Sequence, residues 1–376
     1  MHPKCCCEQL IARARGPRAS ASFDAAPETR ARLRKVAGPD SQRRVTLAEL
    51  AEAAGVSVAT ASKVLNGRSD VAASTRARVE ALLDRHGYRR RNPGRRAARL
   101  VELVFHEFQS AWSMEIIRGV EHVASAHGMG VVLTESGTRH APGEEWLEGV
   151  LGRRPAAVVL VFSGIPEAMR GALAMRSIPF VVIDPAGDPP PDVPSVTAAN
   201  WSGGLAATRH LLSLGHTRIA AITGPEDMMC SHARVDGYRS ALAEAGIAAR
   251  PEWVRYGDFH VEGGLRNAAA LLDLPEPPTA IFAGSDLQAL GVYELARTRR
   301  IRIPDALSVV GFDDIPLTEW VSPRMTTVLQ PLEEMGREAA RLAIRLAEEG
   351  PLAPAPRIEL ATRLVVREST AAPGPG

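Results

Sequence analysis

The stretch that most restricts the fold runs from Arg43 to Tyr88, RRVTLAELAEAAGVSVATASKVLNGRSDVAASTRARVEALLDRHGY. Its spacing predicts three short helices separated by tight turns. Thr46 is placed to cap the first, and Glu49, three residues on, to reach back and complete a capping box. Leu47, Leu50, Ala51 and Ala54 then repeat at helical spacing, and Gly55 ends the run where a left-handed residue fits. Only Val56 intervenes before Ser57, which can cap a second helix running through Val64 and Leu65 to Asn66-Gly67. So short a turn forces the two helices to cross steeply, the helix-turn-helix arrangement. A third helix carries Val79, Leu82 and Leu83 on one face, enough to cover the first two.

Charge says what such a module is for. From Arg43 to Arg99, thirteen basic residues stand against five acidic ones, a balance of +8. Residues 1–42 carry eight against four, or +4. The whole chain is only +2, which leaves −10 for residues 100–376. A small basic module ahead of a large acidic body is the asymmetry of a DNA-binding headpiece on a domain that does not bind DNA. A plain helical bundle with a solvated basic face is the other reading, disfavoured by the joint occurrence of box, tight turn, Ser57 cap and flanking Arg.

The segment VTLAELAEAAGVSVATASKVLNG resembles the headpiece of the LacI/GalR family of bacterial transcription repressors, and the similarity continues through most of the chain. The second helix is then expected in the major groove, its N-terminal residues toward base edges. Val58 and Ala59 are short and apolar, suited to thymine methyls, and Lys63 is the one long donor for guanine O6/N7. Thr46, Ser57, Thr60, Ser62 and Asn66 are placed for phosphate hydrogen bonds, with Thr75 and Arg76 adding contacts at helix three. The family usually has a Ser cap where this chain has Ala72, so Ser74 is expected to cap helix three two residues later. The segment RRRNPGRRAAR, Arg89–Arg99, is the expected hinge. Relatives fold a short helix there and wedge a Leu into the minor groove; this chain has Pro93-Gly94 and no Leu before Leu100. The expectation is Arg side chains, Arg95 and Arg96, in or near a narrow minor groove without the wedge.

A chain of 376 residues exceeds one typical domain. No apolar run approaches the ~20 residues that span a bilayer, and the Arg-rich N-terminus lacks an apolar export segment. Four cysteines, three of them consecutive (Cys5, Cys6, Cys7) and the fourth at Cys230, make neither a disulfide framework nor a tetrahedral metal site. A cytoplasmic, reduced protein without metal or cofactor is expected. Residues 1–42 read as a disordered tail, with a basic arm adding phosphate contacts as the other reading.

The body from 100 to 370 alternates strand and helix. The runs LVELVF, GVVLTE, AAVVLVF, PFVVID, RIAAITG, WVRYGDF, TAIFAG and LSVVGFDD read as buried strands between amphipathic helices, the pattern of doubly wound α/β layers. The resemblance implies a two-lobed, periplasmic-binding-protein-like effector domain. Crossings between lobes are expected near 215, 285 and 317, giving an N-lobe of 100–214 and 286–317 and a C-lobe of 215–285 and 318–370. Ligand is expected in the cleft, beyond the strand C-termini. There the resemblance places Arg234, in SHARVDGYRSAL, as an effector-binding arginine; a surface pair with Asp236 is the alternative. It places Asp313, in SVVGFDDIP, as the ligand carboxylate. Ser285, beside a helix cap at Asp286, and Gln330 match further positions. Asn200 also matches, although Ala199 replaces the usual preceding Asp. Trp112 and Phe259 are read either as stacking partners of a sugar ring or as core. His216 is read as structural.

No G-x-S-x-G, H-E-x-x-H, Walker loop or close Cys/His set is present, which argues against an enzyme. The joint reading is a homodimeric repressor on a pseudo-palindromic operator, controlled by a small molecule, a carbohydrate above all. A regulator sensing a nucleobase is the alternative within the family, and a solute-binding receptor the alternative outside it.

Overall fold

A computed structural model describes residues 45–65, 71–86, 98–108, 111–137, 141–162 and 164–374. The expected tail, Asn66 and hinge residues 89–97, Arg95 and Arg96 among them, lie outside these. Three helices open the described chain: α1 (Leu47–Ala53), α2 (Val58–Leu65) and α3 (Ala73–Arg85). Leu50, Ala51, Ala54, Ala61, Val64, Leu65, Val79 and Leu83 bury together as one small core. Gly55 turns the chain between α1 and α2 at φ +64°, the left-handed conformation its sequence position called for. Helix α3 begins at Ala73, and the Arg76 amide bonds the Ala72 carbonyl. Ala72 therefore holds the capping position without a side chain to cap. Ser74 lies inside the helix and does not take over, contrary to the sequence expectation.

Two six-stranded sheets form the rest. The first takes β1 (Ala98–Phe105), β2 (Gly130–Glu135), β3 (Pro155–Val161), β4 (Phe180–Ile183) and β5 (Ser195–Ala198) from one continuous run of chain. Helices α4 (Ala111–Ala126), α5 (Glu144–Arg153) and α6 (Glu167–Met175) connect them. Strand β1 claims Ala98 and Arg99, the last two residues of the expected hinge. The second sheet takes β6 (Ile219–Thr223), β7 (Val254–Tyr256), β8 (Ala280–Ala283), β9 (Ser308–Asp313) and β10 (Thr326–Leu329). Its helices are α7 (Asn200–Ser213), α8 (Met229–Glu244), α9 (Val261–Leu272) and α10 (Asp286–Arg299). The chain then returns: α11 (Leu332–Glu349) packs on α4 over the first sheet, and β11 (Arg357–Leu360) extends that sheet beside β5. Finally β12 (Arg363–Val365) pairs antiparallel with β10 in the second. Every other pairing is parallel.

The chain therefore crosses between lobes near 199, 330 and 361, a correction to the crossings expected near 215, 285 and 317. Register explains the difference. Ile281 pairs with Val309 and Phe282 with Val310, so β9 and its connecting α10 belong to the second lobe. Helix α7 belongs there as well, because it lies directly against α8: a Cβ on Gly204 would sit 2.2 Å from the Arg234 carbonyl, and one on Gly237 2.1 Å from that of Trp201. His216 is buried and bonded to the Thr279 and Ser308 hydroxyls at 2.9 and 3.0 Å, a structural part. Among the described residues no helix is long and apolar enough to cross a membrane.

Candidate functional site

On the headpiece, the two caps set which faces of the helices are free. The Glu49 amide donates to Thr46 Oγ1 at 3.3 Å and the Thr46 amide to Glu49 Oε2 at 2.7 Å, the full capping box. Ser57 Oγ accepts from the Thr60 amide at 3.0 Å, which starts α2. With Ala61, Val64 and Leu65 turned inward, Ser57, Val58, Ala59 and Lys63 are left on the exposed side. Thr60, Ser62, Thr75 and Arg76 are half-buried, and Thr46 is exposed. Of the residues singled out for reading DNA, Thr46, Ser57, Val58, Ala59 and Lys63 are therefore exposed on the three-helix unit.

In the body, a cavity of about 290 Å³ opens between the carboxyl ends of the two sheets. The first lobe supplies Phe105, His106, Glu107, Trp112, Ser113 and Phe162; the second supplies Arg234, Asp258, Phe259, His260, Ser285 and Asp313, with Pro225, Met228 and Leu287. Five of the seven expected effector residues line it: Trp112, Arg234, Phe259, Ser285 and Asp313. The other two, Asn200 and Gln330, hold Arg234 from behind.

Arg234 is only 2% exposed. Its Nε donates to Asn200 Oδ1 at 2.8 Å, its Nη2 to Gln330 Oε1 at 3.2 Å, and its Nη1 to the Gly284 carbonyl. The guanidinium carbon lies 3.8 Å from the Phe312 ring centre and 5.5 Å from that of Phe259, positions that favour a cation. A surface pair with Asp236 is thereby excluded, and Asp236 pairs with Arg239 instead. Ser285 is itself the cap of α10, accepting from the Gln288 amide at 3.1 Å and donating to the Phe259 carbonyl at 3.0 Å. Asp286, expected as the cap, is wholly buried beneath, accepting from the Thr327 hydroxyl and the Ile315 amide. Trp112 is a core residue of the first lobe, 7% exposed, and its ring also lines the cavity, stacked on Phe162 at 4.6 Å and 23°.

Burial shapes the acid–base state of the floor. It pushes the Asp313 carboxyl up to about 7, with Arg234 pulling the other way and Asp184 adding to the rise. Asp184, held by Gln330 Nε2 at 3.2 Å, is raised to about 6 by burial, again opposed by Arg234. Asp286 is raised by burial and then by the charge of Asp313. Asp313 Oδ1 and Asp184 Oδ1 are buried without a hydrogen-bond partner. The backbone is unusual at the same places. Phe162, Asp184, Phe259, Asp313 and Asp314 have φ of 50°, 44°, 63°, 121° and 59°, conformations that cost non-glycine residues ~1–3 kcal/mol each and that gather at binding sites.

Glu107, His260, Phe162, Asp258 and Asp184 were not singled out by sequence reasoning. All lie within four residues after a strand, so the rule that places ligands beyond strand C-termini could have found them. Glu107 and His260 meet across the two lobes at 2.9 Å. Among the described residues no cluster of His, Cys, Asp or Glu suits a metal ion.

Residues 46–91 match the lacI family of bacterial regulatory proteins, and residues 208–370 a periplasmic binding protein-like domain. The chain is 33% identical over 331 residues to the HTH-type transcriptional repressor CytR of Escherichia coli K12, covering 87% of this chain and 96% of that protein. The chain belongs to the LacI family. It is 36% identical to the transcriptional regulator CelR of Thermobifida fusca, over 88% of this chain and 99% of CelR. A solved CelR–cellobiose complex superposes with a TM-score of 0.67, covering 87% of this chain and all of that one at 36% identity. A lac repressor dimer bound to operator and an anti-inducer superposes at 0.64, covering 88% of this chain and all of that one at 25% identity. As a LacI-family protein the chain is a DNA-binding transcriptional regulator and not an enzyme. Within the family pattern it departs at Ala72, whose missing hydroxyl leaves α3 without a side-chain cap, and at Ala199, ahead of the Arg234 partner Asn200.

Proposed function

We propose that this regulator is a cytoplasmic, homodimeric repressor whose grip on a pseudo-palindromic operator is controlled by a small carbohydrate bound between the lobes. The observation that carries the reading is the cavity itself. It sets an aromatic wall, Trp112 on Phe162, opposite a fixed guanidinium and a buried carboxyl with an uncommitted oxygen. Sugars offer an apolar ring face and a rim of hydroxyls, and that combination of wall and hydrogen-bonding floor suits both. Relatives support the ligand class, since one solved neighbour holds cellobiose and another, from Enterococcus faecium, holds ribose.

In the headpiece, Val58, Ala59 and Lys63 read bases, while Thr46, Ser57, Thr60, Ser62, Asn66, Thr75 and Arg76 position the module on phosphates. Arg95 and Arg96 enter or approach the minor groove. Effector closing the cleft shifts operator occupancy by a coupling of ~1–3 kcal/mol.

One observation favours a second reading, a nucleobase-bearing effector: Phe162 supplies the second aromatic ring that Ser113, next to Trp112, does not. Operator binding measured at fixed salt against a panel of sugars and purines separates the two. Arg234→Ala should keep operator affinity within a few-fold and lose the response; a retained response would remove the cleft from the mechanism.

A further inference from the structure

The charges around the cavity are lopsided. Glu107 and Asp313 face it as carboxyls, as does Asp258, whose charge is already paired with Arg266 at 3.1 Å, and the buried Asp184 and Asp286 lie behind. Among the described residues that line it, the one permanent cation is Arg234, which already donates once from each guanidinium nitrogen, to Asn200, Gly284 and Gln330. The imidazole of His260 is likewise engaged, its Nε2 2.9 Å from Glu107 Oε1, and His106 Nε2 lies 3.3 Å from the same oxygen. Asp313 is 6% exposed, lines the cavity, and has an oxygen without a partner. Such a group is suited to one neutral hydroxyl and ill suited to a second anion.

We propose that the cleft takes an uncharged sugar and rejects its phosphorylated or acidic counterparts, with Glu107, held across the open side of the cleft by His260, as the residue that sets this selectivity. The inference rests on the carbohydrate reading above and narrows it. Recognising a phosphate takes unpaired Arg or Lys, or free backbone amides at a helix N-terminus. Of the helix starts at the cavity, that of α10 is capped by Ser285 and followed by Asp286, and that of α9 has the Asp258 carboxylate on its His260 amide at 3.0 Å; α8 begins without a side-chain cap, its Met229 amide taken by the Ala186 carbonyl. Carboxyls whose pKa is raised by burial and by one another mark a place where a negative charge is costly. Glu107 is 29% and His260 32% exposed, against 2% for Arg234. The pair therefore stands where a charged substituent projecting from a bound ring would pass. Discrimination of this kind works by repulsion of the wrong ligand as much as by attraction of the right one.

Calorimetric titration of the full chain with glucose, ribose and cellobiose, each against its phosphate ester, tests the proposal. The expected result is at least tenfold weaker binding of the ester of whichever sugar binds, with Glu107→Lys narrowing that gap. Circular dichroism checks that the variant is folded. An ester that binds as tightly as its parent overturns the proposal and leaves the carbohydrate reading intact. A gap unchanged in Glu107→Lys overturns the assignment to Glu107. If no sugar of either kind binds, the carbohydrate reading fails and this proposal fails with it.

Discussion

Single side chains divide the labour sharply. Lys63 stands on the exposed face of α2 with one long flexible donor, beside the short apolar Val58 and Ala59. Lys63→Ala should cost ~1–3 kcal/mol on the preferred operator and relax preference at one base pair per half-site. Equal loss on operator and random duplex, read by fluorescence anisotropy, would reduce it to a phosphate contact. Asp313 gives a prediction in pH. Its carboxyl sits near 7 in the folded protein against an ordinary 3.8, burial being the chief cause, so the native state holds a proton that the unfolded chain gives up. Its contribution to stability is present below about pH 4 and is lost as pH rises toward 7. Asp313→Asn stays neutral throughout. Its melting temperature should match that of the parent at pH 4 and exceed it at pH 8; a difference independent of pH would refute the assignment.

At the level of helices and strands, the two helices that carry Asn200 and Arg234 touch backbone to backbone through Gly204 and Gly237. Gly204→Ala drives a methyl into the Arg234 carbonyl, which as main chain cannot swing aside. A loss of ~1–3 kcal/mol is expected in urea denaturation, together with a weakened effector response because the guanidinium moves. Much at this scale is legible in the residues. All eight long apolar runs became strands, and the capping box, the Ser57 cap and the Gly55 turn appear as their spacing demands. The strands SVTA, TTVL, RIEL and RLV were not legible, being three or four residues long and partly polar. Membership of a sheet was not legible either. Which lobe owns α10 and β9 follows from register with β8, a long-range pairing that local pattern does not encode. The cleft shows the same limit. Arg234, Asp313 and Ser285 could be placed by resemblance, but Glu107 and His260 are 153 positions apart and become partners only when the lobes meet.

Viewed whole, the molecule carries several uncovered apolar side chains among the described residues, and Trp320 is the most exposed of them. Trp320 is 85% exposed, and Leu317 on the preceding turn is 44% exposed. An inverted-repeat operator needs two headpieces related by a two-fold axis, and an uncovered tryptophan is the kind of anchor that dominates interfaces. Trp320→Asp should shift sedimentation from dimer toward monomer and weaken operator binding, while the helical signal stays unchanged. A dimer that persists would place the two-fold axis elsewhere.

The crossings near 199 and 330 each abut a side chain that grips the same guanidinium, Asn200 at the first and Gln330 at the second. Two of the three tethers joining the jaws are therefore knotted to Arg234, and the third, near 361, is tied to the first by the Thr362 hydroxyl on the Ala199 carbonyl at 3.1 Å. A ligand hydroxyl drawn to that arginine would bear on the ends of both cords at once.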